Sequence, residues 1–291
     1  MQSLHAVSYD EAIEIARGLQ ALDGPNVNPV CQTRLYEHGR QTERAVVLLH
    51  GFTNCPRQFD DLGRRFFERG WNVLIPRYPR HGYSDRLTTA IAELRAEHLM
   101  AVADRSLLAA SGLGERVVVA GLSLGAILTG YLAELSEFER AVVIAPMFGL
   151  RPIPGPAMTA LSVAAERLPN FYMWWNRQAK ENIQPPHGYP RFATHAYAAL
   201  FETGRVVLSS AGREAPKTRD IVVVTNAAEP SLDNRFTYRL VEDWRRHGAR
   251  IETFEFPASE GLPHDLIDPV SNPEGVTDRS YAVVERFING D

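Results

Sequence analysis

The chain has little of what several function classes require. Its 291 residues hold only two cysteines, Cys31 and Cys55, too few for a disulfide-dense scaffold and not in Cys-x-x-Cys spacing. No His-x-x-x-His pair or acidic calcium loop occurs, so no metal is expected. Gly-x-Gly-x-x-Gly and P-loop patterns are also missing, and no cofactor is expected. Net charge is −4, from 31 basic and 35 acidic residues. That balance lacks the basic footprint of a nucleic-acid binder and disfavours strongly anionic substrates. No apolar run approaches the roughly 20 residues needed to cross a bilayer. The first residues, Met1-Gln2-Ser3-Leu4-His5, show no basic stretch followed by an apolar one, so the expectation is a cytoplasmic chain. A leader already removed would leave no trace in this pattern. There is no internal repeat, low-complexity tract or obvious interdomain linker.

What is present reads as a globular chain. Hydrophobic residues make up 45% and charged residues 23%, which excludes disorder. Short continuous apolar runs recur at Ala45–Leu49, Val73–Ile75, Val117–Ala120, Ala141–Ile144 and Ile221–Val224. Such runs suit strands buried on both faces, as in a parallel sheet covered by helices. Helical spacing predicts helices over Gln58–Arg69, Thr89–Ser111, Leu124–Glu137, Arg235–His247 and Val276–Ile288. Alternation of the two predicts a doubly wound α/β sheet, with Arg250–Phe256 as a late strand. Thr33–Glu37 and Arg44–Leu49 flank Gly39 and read as an antiparallel pair. In that register Cys31 falls opposite about residue 49 and comes within reach of Cys55; with no secretion signal in view two cysteines more often stay reduced, so the reading leaves open whether they are bonded.

One stretch breaks the rhythm. From Pro146 to about Arg205 the sequence carries seven prolines from Pro152 to Pro190 and the aromatic cluster Phe171-Tyr172-Met173-Trp174-Trp175. A connection of that length has structure of its own or a function. Met158–Leu168 and Thr194–Phe201 have helical spacing, and the stretch reads as a helical cap inserted at 147–205 between core segments 1–146 and 206–291. The aromatic cluster, with Tyr172, Trp174 and Trp175, either lines a substrate pocket or forms the core of the cap.

Gly121-Leu122-Ser123-Leu124-Gly125 follows the run Val117–Ala120 and opens a helical stretch. A strand–turn–helix of this kind holds its serine in a strained conformation, with small flanking residues that let neighbouring backbone approach. His50-Gly51-Phe52 follows an earlier strand, and Pro263-His264-Asp265 lies after the last one. With these three motifs in this order the sequence resembles the α/β-hydrolase family over most of its length. Arg80-His81-Gly82-Tyr83-Ser84 is similar to the Gly-His-Gly-x-Ser loop of its monoacylglycerol-lipase-like and carboxylesterase branches, with Arg80 in place of the first glycine.

The resemblance implies an α/β-hydrolase fold, with a doubly wound, mostly parallel sheet and an inserted helical cap. It also implies a nucleophile at Ser123 and a base at His264, since a serine hydroxyl needs a partner to take its proton. His50 and His81 belong to loop motifs. His5, His38, His98, His187, His195 and His247 have no motif context and default to surface or helix positions. The carboxylate that orients the imidazole is expected after the strand Ile221–Val224, where Gly-x-x-Asp-x-x-Val maps onto Asn226, Glu229 and Leu232. Glu229 therefore falls on the acid position. Asp233 is the alternative, although it also suits an N-cap. The preceding strand ends in Ala145-Pro146-Met147-Phe148, without a carboxylate. The oxyanion hole is expected from the backbone amides of Phe52 and Leu124, with Thr53 closing the turn.

The expected function is hydrolysis of small to medium, largely apolar carboxylic esters through an acyl-enzyme. Serine at position 123 argues against the dehalogenases and epoxide hydrolases of the family, which use a carboxylate nucleophile. Monoacylglycerol lipase, thioesterase, peptidase and acyltransferase chemistries share the same triad, and a ligand-binding protein with a slow or idle triad stays open. The expected partner is a small-molecule ester, with no nucleic acid or transmembrane segment, in a monomer or homodimer.

Overall fold

All five continuous apolar runs become inner strands of one sheet: β2 (Thr42–Leu49), β3 (Asn72–Ile75), β4 (Gly114–Leu122), β5 (Arg140–Ile144) and β8 (Asp220–Asn226). With β1 (Arg34–Tyr36) and β9 (Arg250–Phe256) at the edges, the order is β1-β3-β2-β4-β5-β8-β9. Every neighbouring pair is parallel except β1 with β3. The structure, a computed structural model, describes residues 7–149, 168–177, 180, 186–272 and 275–291.

Successive side chains of a strand point to opposite faces, and here both faces are covered. Val47, Val119, Val143 and Val223 belong to the apolar layer shared with α1 (Tyr9–Gln20), α3 (Ala96–Leu113), α4 (Leu124–Leu135), α5 (Thr194–Ala211) and α6 (Asn234–Arg246). Their neighbours Val46, Val118, Val142 and Val222 belong to the layer shared with α2 (Arg57–Glu68) and α7 (Val276–Asn289). Each such side chain contributes about 1.5–3 kcal/mol when fully buried. This two-sided burial is why the strands read as unbroken apolar runs. No helix among the described residues is long and apolar enough to cross a membrane.

One element had no counterpart in the sequence reading, and two sequence expectations need correction. Helix α1 was not expected, yet Ser8 and Glu11 form a reciprocal capping box ahead of buried Ala12, Ile13, Ala16 and Leu19. The helix expected from Thr89 begins only at Ala96. A 3-10 turn over Ala90–Glu93 precedes it, and Leu94 and Arg95 are extended. Finally, β1 does not pair with β2. It runs antiparallel to β3, with Arg34 opposite Ile75 and Tyr36 opposite Val73. Buried throughout, β3 needs hydrogen-bond partners along both edges, whereas half-buried β1 tolerates an open one. Asn72 fixes the exchange, accepting from His38 N at Oδ1 and donating to Arg40 O and Leu113 O.

Cys31 and Cys55 are nevertheless bonded, with Cα atoms 5.2 Å apart. The contact arises because residues 26–31 run beside the loop after β3, through Asn28 N to Gly82 O and Ser84 N to Asn26 O. Between β5 and β8, a two-stranded antiparallel pair, β6 (Tyr172–Trp174) with β7 (Arg191–Ala193), leads into α5. The helix expected over Met158–Leu168 falls on residues outside the described ones, Leu168 excepted.

The N-terminal helix is tied to this frame by a buried ion pair. Arg77 Nε lies 2.6 Å from Asp23 Oδ1, and its guanidinium also donates to the carbonyls of Leu22, Tyr78 and His81. Removing one partner of a buried pair strands the other charge. Arg77→Met is therefore expected to lower unfolding free energy by about 3–5 kcal/mol in urea titration.

Candidate active site

Ser123 sits between β4 and α4 with φ 59° and ψ −108°, a region that a non-glycine residue rarely occupies. Its amide donates to Ile144 O at 2.9 Å. The glycines on either side have no room for a side chain. A Cβ on Gly121 would lie 2.2 Å from Gly125 O, and one on Gly125 would lie 1.8 Å from Leu49 O. The turn is therefore forced by backbone packing against the end of β2. It lifts the serine side chain into a cavity of about 380 Å3 at the C-terminal ends of the parallel strands.

His264 lines the same cavity from the loop after β9. Its Nδ1 stands 2.7 Å from Glu229 Oε2. The other glutamate oxygen, Oε1, accepts from Ser231 N at 2.9 Å and Leu232 N at 3.3 Å. Burial opposes the charge on Glu229, but the His264 contact and the two backbone amides outweigh it and hold the carboxyl below its ordinary value. Burial likewise opposes a charged imidazole at His264, yet the hydrogen bond and charge of Glu229, helped by Asp265, raise its pKa above the usual 6.5. His264 Nε2 is buried with no partner among the described residues, and no hydrogen bond joins it to Ser123 Oγ. Such bonds commonly tighten only with substrate in place.

The alternative acid, Asp233, points elsewhere. It caps α6 through Arg235 N and pairs with the Arg235 guanidinium. His50 and His81 lie behind the site, both fully buried. Burial pushes His50 well below its ordinary pKa and His81 down to about 4, which disfavours the charged form of both rings.

Opposite the serine, Gly51–Thr53 form a tight turn after β2, with Thr53 at φ 60°. Neither the Phe52 amide nor the Leu124 amide has an acceptor among the described residues. Thr53 closes this turn from outside: its hydroxyl accepts from Trp175 Nε1 at 2.9 Å, and its carbonyl from Tyr189 N at 2.7 Å. Of the aromatic cluster, Trp175 lines the cavity. Tyr172 and Trp174 are not among its lining residues: the Tyr172 hydroxyl donates to Thr89 O, under the Arg191 guanidinium. Arg80, in place of a glycine, adopts φ 65°, so the loop keeps a glycine-like backbone without the glycine.

Three polar groups near the site carried no motif. Gln58 bridges Gly51 N and Asp265 Oδ2. His187, expected at a surface or helix position, is buried with Nε2 2.8 Å from Asp268 Oδ2. Asp268 also accepts from Ser271, which lines the cavity. The Gln58–Asp265 and His187–Asp268 contacts join residues 207 and 81 positions apart, beyond the reach of any local pattern.

The glycine packing carries its own test. Gly125→Ala is expected to cost more than about 3 kcal/mol in urea titration, because the obstacle is backbone and cannot rotate away. Gly24→Ala, with open space around its Cβ, should stay within about 1 kcal/mol of wild type.

No curated protein sequence matches this chain. Several solved structures share its fold. One of the metagenome-derived lipolytic enzymes LipS and LipT superimposes with a TM-score of 0.68 at 17% identity, over 91% of this chain and 100% of the other. The monoacylglycerol lipase of Paleococcus ferrophilus gives 0.62 at 18% identity, over 89% and 98%. A soluble variant of the Saccharomyces cerevisiae monoglyceride lipase, in complex with a substrate analogue, gives 0.66 at 12% identity, over 89% and 90%. The family model described as "Alpha/beta hydrolase family" matches residues 46–279, a span that runs from β2 into α7 and takes in Ser123, Glu229 and His264. The chain belongs to the α/β hydrolase family.

Proposed function

We propose that the protein is a serine hydrolase that cleaves carboxylic esters through an acyl-enzyme. The observation that carries this reading is a serine in a strained turn sharing one cavity with a histidine whose far nitrogen is held by a buried carboxylate. In this mechanism Ser123 Oγ attacks the ester carbonyl while His264 Nε2 takes its proton. Glu229 holds Nδ1–H and stabilises the imidazolium as it forms. The Phe52 and Leu124 amides donate to the oxyanion of the tetrahedral intermediate. Collapse breaks the ester C–O bond, and the alcohol leaves with the proton from His264. Water then attacks the acyl-enzyme with His264 again as base, which releases the acid and restores Ser123. Glutamate in place of the usual aspartate adds one methylene, and the two amides on Oε1 fix the longer side chain.

The cavity suits small to medium esters. Phe52, Met147, Trp175, Tyr197 and Leu232 give it an apolar wall, while Asn54, Gln58, Asp265 and Ser271 give it a polar one. Trp175, Tyr189 and Tyr197 come from 147–205, which supports reading that stretch as a cap over the site. Monoacylglycerols, with an apolar chain and a polar alcohol, are one candidate class. The Cys31–Cys55 bond weighs against the cytoplasmic expectation, because cytosolic thiols are mostly kept reduced.

The first test is wild type against Ser123→Ala on p-nitrophenyl esters from acetate to palmitate. Turnover is expected in wild type, strongest toward the short end, and lost by at least about 10^3-fold in the variant. Equal turnover in both would overturn the mechanism. Glu229→Gln should lower kcat by up to roughly 10^4-fold, whereas Asp233→Asn should stay within a few-fold of wild type. The reverse pattern would move the acid to Asp233. Because only neutral His264 can accept a proton, and its pKa is raised, kcat/KM should climb with pH through a midpoint above about 6.5. In Glu229→Gln the residual activity should climb at lower pH.

A further inference from the structure

Gln58 is the second residue of α2 and is almost fully buried. Its Oε1 accepts from Gly51 N at 2.7 Å, and its Nε2 donates to Asp265 Oδ2 at 2.8 Å. The orientation of the amide is fixed, because a backbone N–H at Gly51 can face only its oxygen. That leaves its NH2 group for the Asp265 carboxylate. Asp265 Oδ1 in turn accepts from Ile267 N and Asp268 N, each at 3.0 Å, so the aspartate is fixed to its own loop. One side chain therefore spans the two loops that meet over Ser123. On one side it holds Gly51, the residue before the Phe52 amide. On the other it holds Asp265, the residue after His264.

We propose that Gln58 is a positioning residue that locks the oxyanion turn to the His264 loop, so that oxyanion donor and base keep a fixed separation. This rests on the ester-hydrolase reading above. Gly51 O accepts from Asn54 N at 3.3 Å, so Gln58 and Asn54 hold the glycine at both ends. Without Gln58 the buried Gly51 N–H loses its acceptor, and the peptide that aims Phe52 N–H is held only through Gly51 O, by Asn54 N and His50 Nδ1, so it can tilt about that end. A misaimed donor acts on the tetrahedral state more than on the bound ester, so the loss falls on kcat rather than KM.

The test reverses the polarity of the bridge. In Gln58→Glu the new carboxylate still accepts from Gly51 but faces the Asp265 carboxylate. In Asp265→Asn alone, an amide NH2 faces the NH2 of Gln58. In the double variant Q58E/D265N the new amide donates to the new carboxylate, while its oxygen keeps the Ile267 and Asp268 amides. Each single variant is expected to lower kcat on p-nitrophenyl butyrate by roughly 10–100-fold with KM within about threefold. The double variant should recover to within about threefold of wild type. Thermal melts check that each is folded, and Gln58→Ala, should it fold, is expected to match the single variants.

Backbone hydrogen exchange at Gly51 gives a second readout that does not depend on turnover. It should quicken in Gln58→Ala or Asp265→Asn and slow again in the double variant. A folded Q58E with wild-type kcat, or a double variant no better than Q58E, would overturn the proposal. Ser123→Ala with wild-type turnover would instead overturn the hydrolase reading, and the Gly51 exchange rates would then decide the bridge alone.

Discussion

The left-handed backbone at Ser123 is the constraint on which the site depends. It exists because Gly121 lets the first turn of α4 close on β4, and Gly125 lets it close on the end of β2, at distances that no side chain permits. Backbone conformations of this kind cost about 1–3 kcal/mol and persist only when the surroundings over-determine them. Here the surroundings are the parallel strands β2, β4 and β5, packed on both faces by apolar layers. The Ser123 amide is tied to β5 through Ile144 O, and its carbonyl accepts from Ile127 N and Met147 N. Sheet stability is thus converted into a fixed direction for one hydroxyl.

Environment then assigns the histidines. His50 and His81 have rings close to the turn at 51–53, with His81 edge-on to Phe52, but burial disfavours their charged forms. His264 alone of the three meets a buried carboxylate, which stabilises its charged form. The same residue type is thereby a filler behind the turn and a titrating group in front of it.

Much of this was legible in the sequence where the cause is local. Runs such as Ala45–Leu49 are apolar at every position because both faces of their strands are buried. Gly121–Gly125 is legible because the close approach at the turn dictates residue size. Glu229 was placed by the resemblance alone, through the pattern that maps onto Asn226, Glu229 and Leu232, and the structure sets its carboxylate against His264 Nδ1. Features closed by distant partners were not legible. The β1–β3 pairing depends on Asn72 reaching back to His38 and Arg40. The Gln58 bridge and the His187–Asp268 pair join residues 81 or more positions apart, with no spacing to announce them. Helix α1 was different: its Ser8–Glu11 box stood in the sequence as a readable signal.

Thr53 holds the stretch after β5 at two atoms, its hydroxyl on the Trp175 indole and its carbonyl on the Tyr189 amide. The Tyr189 hydroxyl in turn accepts from Tyr83 N and donates to Arg80 O. The stretch is consequently not an exchangeable module. A segment grafted between β5 and β8 would have to bring an indole donor and a tyrosine in matching places, or the turns at 51–53 and 80–83 would have to change with it. Divergence in what the cavity accepts is therefore coupled to divergence in the backbone beneath it.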